Sequence, residues 1–184
     1  TFRVGVQLQP QHTTMADLRE AWRAADAMGV DSIWTWDHFF PLYGEADGTH
    51  FEGWVTLTTM AADTSSAQVG MLVTGNTYRN PTLLAKTITA LDHVFGGRAT
   101  LGIGAGWFEL EHDSLGFEFG TFTDRFEKLE EALQIIIPML RGERPSLDGG
   151  RYTAREAINE PPPVARVPVM IGGGGERKTL RMVA

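Results

Sequence analysis

The feature that most constrains this chain is its alternation between two hydrophobic periods. Short apolar runs of strand length are each followed by a longer stretch carrying a helical stripe. Phe2 to Leu8 reads as a strand ending at Gln9-Pro10. Thr13 or Thr14 then caps a helix with Leu18, Ala21, Trp22, Ala25 and Met28 on one face and Gly29 as its stop. Ser32–Trp36 is a second strand, Trp54–Ala62 a helix, and Val69–Thr74 a third strand. Asn80-Pro81 opens the next helix as N-cap and first helical residue, and Gly96-Gly97 closes it. Ala99–Ala105 is a fourth strand, and Thr123–Leu140 is a long helix. Phe126, Leu129, Leu133, Ile136, Ile137 and Leu140 form its buried stripe, and Pro138 kinks its last turn. Val167–Ile171 is a fifth strand, with helix again from Glu176. Residues 106–122 read as a glycine- and acid-rich loop, and 146–152 as a small hairpin.

These are five βα units, with strands apolar on both faces as in a parallel sheet covered by helices. Two architectures suit that order, a doubly wound sheet and a (β/α)₈ barrel. A dinucleotide-binding doubly wound sheet wants a glycine fingerprint after its first strand, and here that turn is Gln9-Pro10-Gln11-His12-Thr13. The barrel needs eight strands and roughly 250 residues. Residues 1–184 are therefore read as the N-terminal five-eighths of one barrel domain, whose first and fifth strands would be open edges.

Charge and composition narrow the partners. A net charge of −7 argues against nucleic acid or an anionic membrane surface. No apolar run reaches the ~20 residues that span a bilayer. The absence of cysteine excludes disulfides, thiolate metal sites and cysteine nucleophiles. Together with a start that does not look like a signal peptide, this leads us to expect a soluble cytoplasmic protein.

In parallel α/β folds the chemistry lies at the carboxyl ends of the strands. Asp37-His38 ends strand two, where an imidazole serves as acid or base with the aspartate setting its hydrogen bonding. The bland alternative is a half-buried histidine beside a capping aspartate. His50 and His93 read as surface or helix residues, and His12 and His112 as loop residues without a clear partner. Thr74-Gly75-Asn76 ends strand three, where glycine permits a bulge. Gly102-x-Gly104-x-Gly106 lets a flat ligand lie on the mouth, although strand glycines also allow close packing. Gly172 to Gly175, followed by Glu176-Arg177-Lys178-Thr179 at a helix start, reads as a phosphate cradle. Its plain alternative is a flexible turn. Trp34, Trp36 and Trp107 supply flat walls near the mouth, while Trp22 belongs to the core.

Several of these segments together resemble a known family. They are Gly29 to Trp34 with Asp37-His38-Phe39, Leu72 to Pro81, Gly96 to Trp107, and Ile171 to Arg177. In this order they are similar to the luciferase-like monooxygenase superfamily, in its branch of coenzyme F420-dependent oxidoreductases. The resemblance implies a luciferase-like barrel longer than this chain, with a deazaflavin across its mouth. It implies a non-proline cis peptide in a bulge at Val73, Thr74 and Gly75, with Asn76 beside it, supporting the ring. Gly104 and Gly106 would face the ring. Gly173, Gly174 and Gly175 would take the phosphate with Arg177 and Thr179. The chemistry implied is hydride transfer to or from a small organic substrate, with His38 as acid/base and Asp37 orienting it. Trp36, Trp107 and Glu109 would line the substrate pocket. Sugar-phosphate dehydrogenases of the family place a glutamate where Trp107 stands here, which favours a flatter or more apolar substrate. The family is also compatible with a homodimer through helix faces.

Three rivals stand beside this reading. One keeps the fold and uses FMN in a monooxygenase. One is a metal-dependent barrel hydrolase with Asp37, His38, Glu109, Glu111 and His112 as ligands, although Gln7-Leu8-Gln9 stands where such barrels carry a His-x-His pair. The third is a fragment without catalysis of its own.

Overall fold

The computed structural model describes residues 2–175 and 179–183. Strands β1 (Gly5–Gln7), β2 (Ser32–Thr35), β3 (Gln68–Met71), β5 (Ala99–Gly104) and β8 (Val169–Gly172) lie side by side and parallel in chain order. Gly5 pairs with Ser32, Ile33 with Val69, Val69 with Ala99 and Ile103 with Ile171. Each strand neighbours the one before it, with no reversal of order. A doubly wound sheet reverses at its switch point, so this order is that of a barrel.

β3 does not run on to Thr74 as the apolar run suggested. It stops at Met71, bulges at Leu72–Val73, and resumes as β4 (Thr74–Gly75) beside Ile103 and Gly104 of β5. A cis peptide joins Leu72 to Val73, so it enters the expected Val73–Gly75 bulge at its first residue and takes in Leu72, which that reading did not include.

The helices start where side chains satisfy their free N–H groups. α1 (Met15–Ala27) is capped by Thr14, whose hydroxyl accepts from Asp17 N–H at 3.2 Å. Its stripe buries Leu18, Trp22 and Ala25, but Met28 is the C-cap and lies exposed, because the helix ends one residue before it. α2 spans Gly53–Asp63. α3 (Pro81–Val94) is capped by Asn80, with Oδ1 accepting from Thr82 N–H at 2.9 Å. α5 (Phe122–Leu140) begins with a capping box between Thr121 and Asp124. Its buried face is wider than predicted and includes Ala132, Ile135 and Met139, while Phe126 and Ile137 are only half-buried.

The segment 106–122 is not wholly a loop. It carries α4 (Glu109–Leu115), with two acids in the first turn and left-handed Gly116 (φ 75°) as its cap. Seven residues are too few to show a helical stripe, so periodicity missed it. The expected hairpin forms from β6 (Leu147–Asp148) and β7 (Thr153–Ala154). Helix α6 (Thr179–Val183) follows β8, and the predicted start at Glu176 lies outside the described residues.

The core lies between the sheet and its helices, with Trp22, Ile33, Leu57, Met60, Ile88, Leu101 and Ile136 fully buried. Trp34 is not at the mouth. It is half-buried two residues below Trp36, and a Cβ added at Gly70 would meet its ring at 2.7 Å. Among the described residues no helix is long and apolar enough to cross a membrane.

Candidate functional site

The strands' carboxyl ends open into a cavity of about 540 Å³. Trp36, Asp37 and His38 reach it from the end of β2, the bulge Leu72–Gly75 from beyond β3, and Gly104 to Trp107 from the end of β5. Gly172 and Gly173 close it from β8. Ten of the predicted site residues thus meet in one place: His38, Asp37, Val73, Thr74, Gly75, Gly104, Gly106, Gly173, Trp36 and Trp107.

The others fall elsewhere. Asn76 is fully buried behind the bulge, in the short helical turn Asn76–Tyr78. Glu109 is exposed in the first turn of α4 and does not line the cavity, because the helix turns its side chain outward. Gly174 and Gly175 are exposed beyond the rim, and Arg177 lies outside the described residues. Thr179 is buried at the start of α6.

Among the described residues Asp37 makes no hydrogen bond to His38; the two line the same cavity but bond to different partners. Asp37 is fully buried and pairs with Arg79, whose Nη1 donates to Oδ2 at 2.5 Å and whose Nη2 donates to Oδ1 at 3.1 Å. It also accepts from the Thr74 hydroxyl and from Gly75 N–H at 3.3 Å. Trp54 Nε1–H donates to Thr74 Oγ1 at 3.2 Å, and Gln7 Nε2 donates to the Leu72 carbonyl at 3.1 Å. Asp37 is therefore the clamp of the bulge.

His38 finds its partner on α4. Its Nδ1 lies 2.9 Å from Glu111 Oε2. Glu111 is fully buried and also accepts from Phe39 N–H at 2.5 Å, Phe40 N–H at 3.1 Å and the Tyr78 hydroxyl at 2.6 Å. Burial alone would raise its pKa, but the hydrogen bonds from His38, Tyr78 and Phe39 outweigh that and hold it below the ordinary glutamate value. Burial, followed by the bond to Glu111, pushes the Tyr78 phenol far above its usual range, so it stays a donor. An ionised carboxylate only accepts, so His38 Nδ1 carries the proton, and Nε2 has no partner among the described residues.

The aromatic wall has its own anchor. His50, expected at the surface, is half-buried and stacks on Trp36 with rings 6.4 Å apart. Trp36 Nε1–H donates to its Nε2 at 3.0 Å. Burial lowers the His50 pKa to about 4, so the ring is neutral at pH 7. His12 too has a partner, with Nε2 2.8 Å from the Tyr43 carbonyl. His112 is fully buried. It donates from Nδ1 to the Phe108 carbonyl at 2.8 Å and accepts at Nε2 from the Thr77 hydroxyl at 2.7 Å.

Sequence reasoning gave Tyr78 and Arg79 no role, and gave Glu111 one only in the metal reading. Their signal was weak, since the partners they need lie 33 to 73 positions away. Of the ligand set of the metal reading, Asp37, His38, Glu111 and His112 are engaged in these other bonds and Glu109 is exposed. Among the described residues no group of three or more His, Cys, Asp or Glu could hold an ion.

The glycine turn after β8 carries one further observation. Thr179 Oγ1 is buried without a hydrogen-bond partner among the described residues. It faces the turn, since a Cβ added at Gly173 or Gly175 would stand 2.9 or 3.2 Å from it. Nothing lies within 4 Å of a Cβ added at Gly174. A hydroxyl in want of a partner beside open glycine backbone fits an anionic oxygen.

Comparison with known proteins agrees with this geometry. The sequence model of the luciferase-like monooxygenase family matches residues 1–184, and the chain belongs to that family. It is 35% identical over 152 residues to an F420-dependent glucose-6-phosphate dehydrogenase of Kineococcus radiotolerans, covering 82% of this chain and 44% of that one. The enzyme of the same name from Amycolatopsis mediterranei is 29% identical over 176 residues, covering 95% of this chain and 52% of that one. Among solved structures, an F420-dependent secondary alcohol dehydrogenase in complex with an F420–acetone adduct superposes with TM-score 0.83 at 22% identity, covering 93% of this chain and 52% of that one. The coenzyme F420-dependent tetrahydromethanopterin reductase of Methanopyrus kandleri superposes with TM-score 0.81 at 21% identity, covering 98% and 52%. The chain spans about half the length of the curated relatives it matches. Its fold matches about half of a luciferase-like barrel.

Proposed function

We propose, starting from membership of the luciferase-like monooxygenase family, that the protein containing this chain is an F420-dependent oxidoreductase acting on a small organic substrate. The observation that carries the reading is the convergence in one cavity of the clamped bulge, the glycine ends of β5 and β8, and a histidine whose Nε2 has no hydrogen-bond partner among the described residues. The relatives similar in sequence are F420-dependent dehydrogenases, which supports the deazaflavin over FMN.

Val73, Thr74 and Gly75 would back the ring system, fixed from behind by Asp37, Arg79 and Trp54. Gly104 and Gly106 would leave room for its face. The N–H groups of Gly173 to Gly175 and the Thr179 hydroxyl would hold the phosphate. When bound, the deazaflavin supplies the hydride acceptor or donor. Trp36 and Trp107 exclude water from the substrate's side of the cavity. His38 holds or moves the proton at the substrate oxygen through Nε2, because Nδ1 is committed to Glu111. Apolar and aromatic side chains dominate these walls, which favours a substrate with a flat or apolar body around one hydroxyl or carbonyl.

The test is a titration of the intact protein with F420 and with FMN, read by quenching of tryptophan fluorescence. Wild type, Gly174→Glu and Thr179→Val are compared. F420 should bind wild type, bind Thr179→Val more weakly, and fail to bind Gly174→Glu, whose carboxylate would fill the cradle. Turnover follows from the loss of the oxidised deazaflavin's absorbance with 2-propanol and glucose 6-phosphate as probes. Binding of FMN alone, or of neither cofactor, would overturn the reading.

A further inference from the structure

The buried carboxylate on α4 has a structural setting independent of the histidine it touches. His112, its neighbour on α4, bonds Thr77 at 2.7 Å and so ties the helix to the turn after the bulge. Three of the four donors to Glu111 are Phe39 N–H, Phe40 N–H and the Tyr78 hydroxyl. They would hold the carboxylate in place whatever His38 did. His38 keeps a partly exposed side chain (14%) and packs edge-on against the rings of Trp36, Trp107 and Phe108, but among the described residues its one ring-nitrogen hydrogen bond is to Glu111, so its tautomer depends on that contact.

We propose that Glu111 is a positioning residue. Held by Tyr78 and two backbone amides, it fixes the His38 imidazole with the proton on Nδ1 and leaves Nε2 as the nitrogen that meets the substrate oxygen. This rests on the reading of His38 as the proton-moving group. It adds that the working tautomer is imposed from a short helix outside the βα repeat. The orienting group is the buried glutamate, 73 positions along the chain, not the adjacent aspartate. No covalent step is involved. The carboxylate accepts one hydrogen bond from the imidazole and stays ionised throughout.

The test reads the tautomer directly, without cofactor. Nitrogen-15 spectra of the intact protein, with the His38 signals assigned by loss in His38→Gln, distinguish a protonated ring nitrogen from a bare one. In wild type with the imidazole neutral, Nδ1 should be protonated and Nε2 bare. In Glu111→Gln the amide oxygen should stay on the Phe39 and Phe40 N–H groups, which turns the amide N–H toward His38, so the Nδ1-protonated tautomer should be lost in favour of a bare, accepting Nδ1. Tyr78→Phe leaves the carboxylate–imidazole contact in place and should keep the wild-type tautomer. Once turnover is measurable, Glu111→Gln should lower kcat by roughly 10²- to 10⁴-fold, with F420 affinity unchanged.

A wild-type ring protonated on Nε2 would overturn the proposal, and that measurement needs no variant to fold. Equally damaging would be a Glu111→Gln protein that keeps both tautomer and kcat. A wild type that shows the expected tautomer, lost in Glu111→Gln, but never turns over the deazaflavin would support the positioning and sink the functional reading instead.

Discussion

The bulge that floors the cavity makes a sharp demand on one glycine. Gly102 lies in the middle of β5, beside the point where β3 leaves the ladder. A Cβ added there would stand 2.0 Å from the Met71 carbonyl oxygen and 3.2 Å from Met170 Cε. Ordinary contact between such atoms needs about 3.5 Å, so backbone must move by more than an ångström. Met71 cannot yield alone, because Leu72 N–H is bonded to the Thr35 carbonyl at 2.7 Å and the bulge is clamped beyond it. Inserting one methyl into a packed site costs about 1–3 kcal/mol when side chains relax, and the upper end applies where backbone must shift. We expect Gly102→Ala to lose about 3 kcal/mol, a fall in Tm of roughly 6–12 °C for a domain of about 150–250 residues. Because the displaced atoms lead into Leu72–Gly75, F420 binding should weaken as well. Gly174→Ala is the control. With no atom within 4 Å it should melt within about 0.5 kcal/mol of wild type. Thermal melts by circular dichroism decide the matter. If Gly102→Ala melted with wild type and the control, the description of the bulge as a clamped floor would be refuted.

Other outcomes follow from buried groups. His50 has its pKa lowered to about 4 from an ordinary 6.5, so between those values the folded state binds fewer protons than the unfolded one. Its contribution is complete above pH 6.5 and is lost as pH falls toward 4. Discounted for its partial exposure, that is about 1–2 kcal/mol, visible as a smaller pH dependence of urea unfolding in His50→Gln. Arg98 donates to the carbonyls of Ala61, Thr64, Ala67 and Phe95 at the amino end of β5, so Arg98→Met should cost about 3 kcal/mol. F420 affinity should not change, because the cavity proposed to hold the cofactor opens at the opposite end of the strands. Arg79→Met strands the buried Asp37 carboxylate and should cost about 3–5 kcal/mol in denaturant melts, with only partial recovery in Arg79→Lys.

The fold was legible because a parallel sheet writes itself as apolar runs separated by helices, and each cap residue has its own chemistry. Thr14 and Asn80 could be placed as caps without coordinates. The location of the site was legible for the same reason, since strand ends follow from strand runs. Its internal bonding was not. Adjacency suggested that Asp37 serves His38, but the two bond to different partners, Arg79 and Glu111. α4 stayed hidden because seven residues carry no period, and with it went the carboxylate. Trp34 and Trp36 looked equivalent, yet one lies against Gly70 inside the barrel and the other lines the cavity, a difference of depth that strand periodicity does not encode.

The polar ties of the site share a pattern that makes a last prediction. Asp37 and His38 are consecutive, and so are Tyr78 and Arg79. Asp37 bonds Arg79 directly, while His38 reaches Tyr78 through Glu111. Two ties therefore join the same pair of backbone segments, one on each side, like paired stitches across a seam. Loosening one lets the segments drift and weakens the geometry of the other. Residues that share backbone in this way are expected to couple by about 0.5–3 kcal/mol rather than add. A double-mutant cycle of Arg79→Met and Tyr78→Phe, measured by urea unfolding, tests this. The double variant should be less destabilised than the sum of the singles, because the second cut falls on a seam already open. Strict additivity would mean that the bulge and the histidine are held independently, each by its own carboxylate.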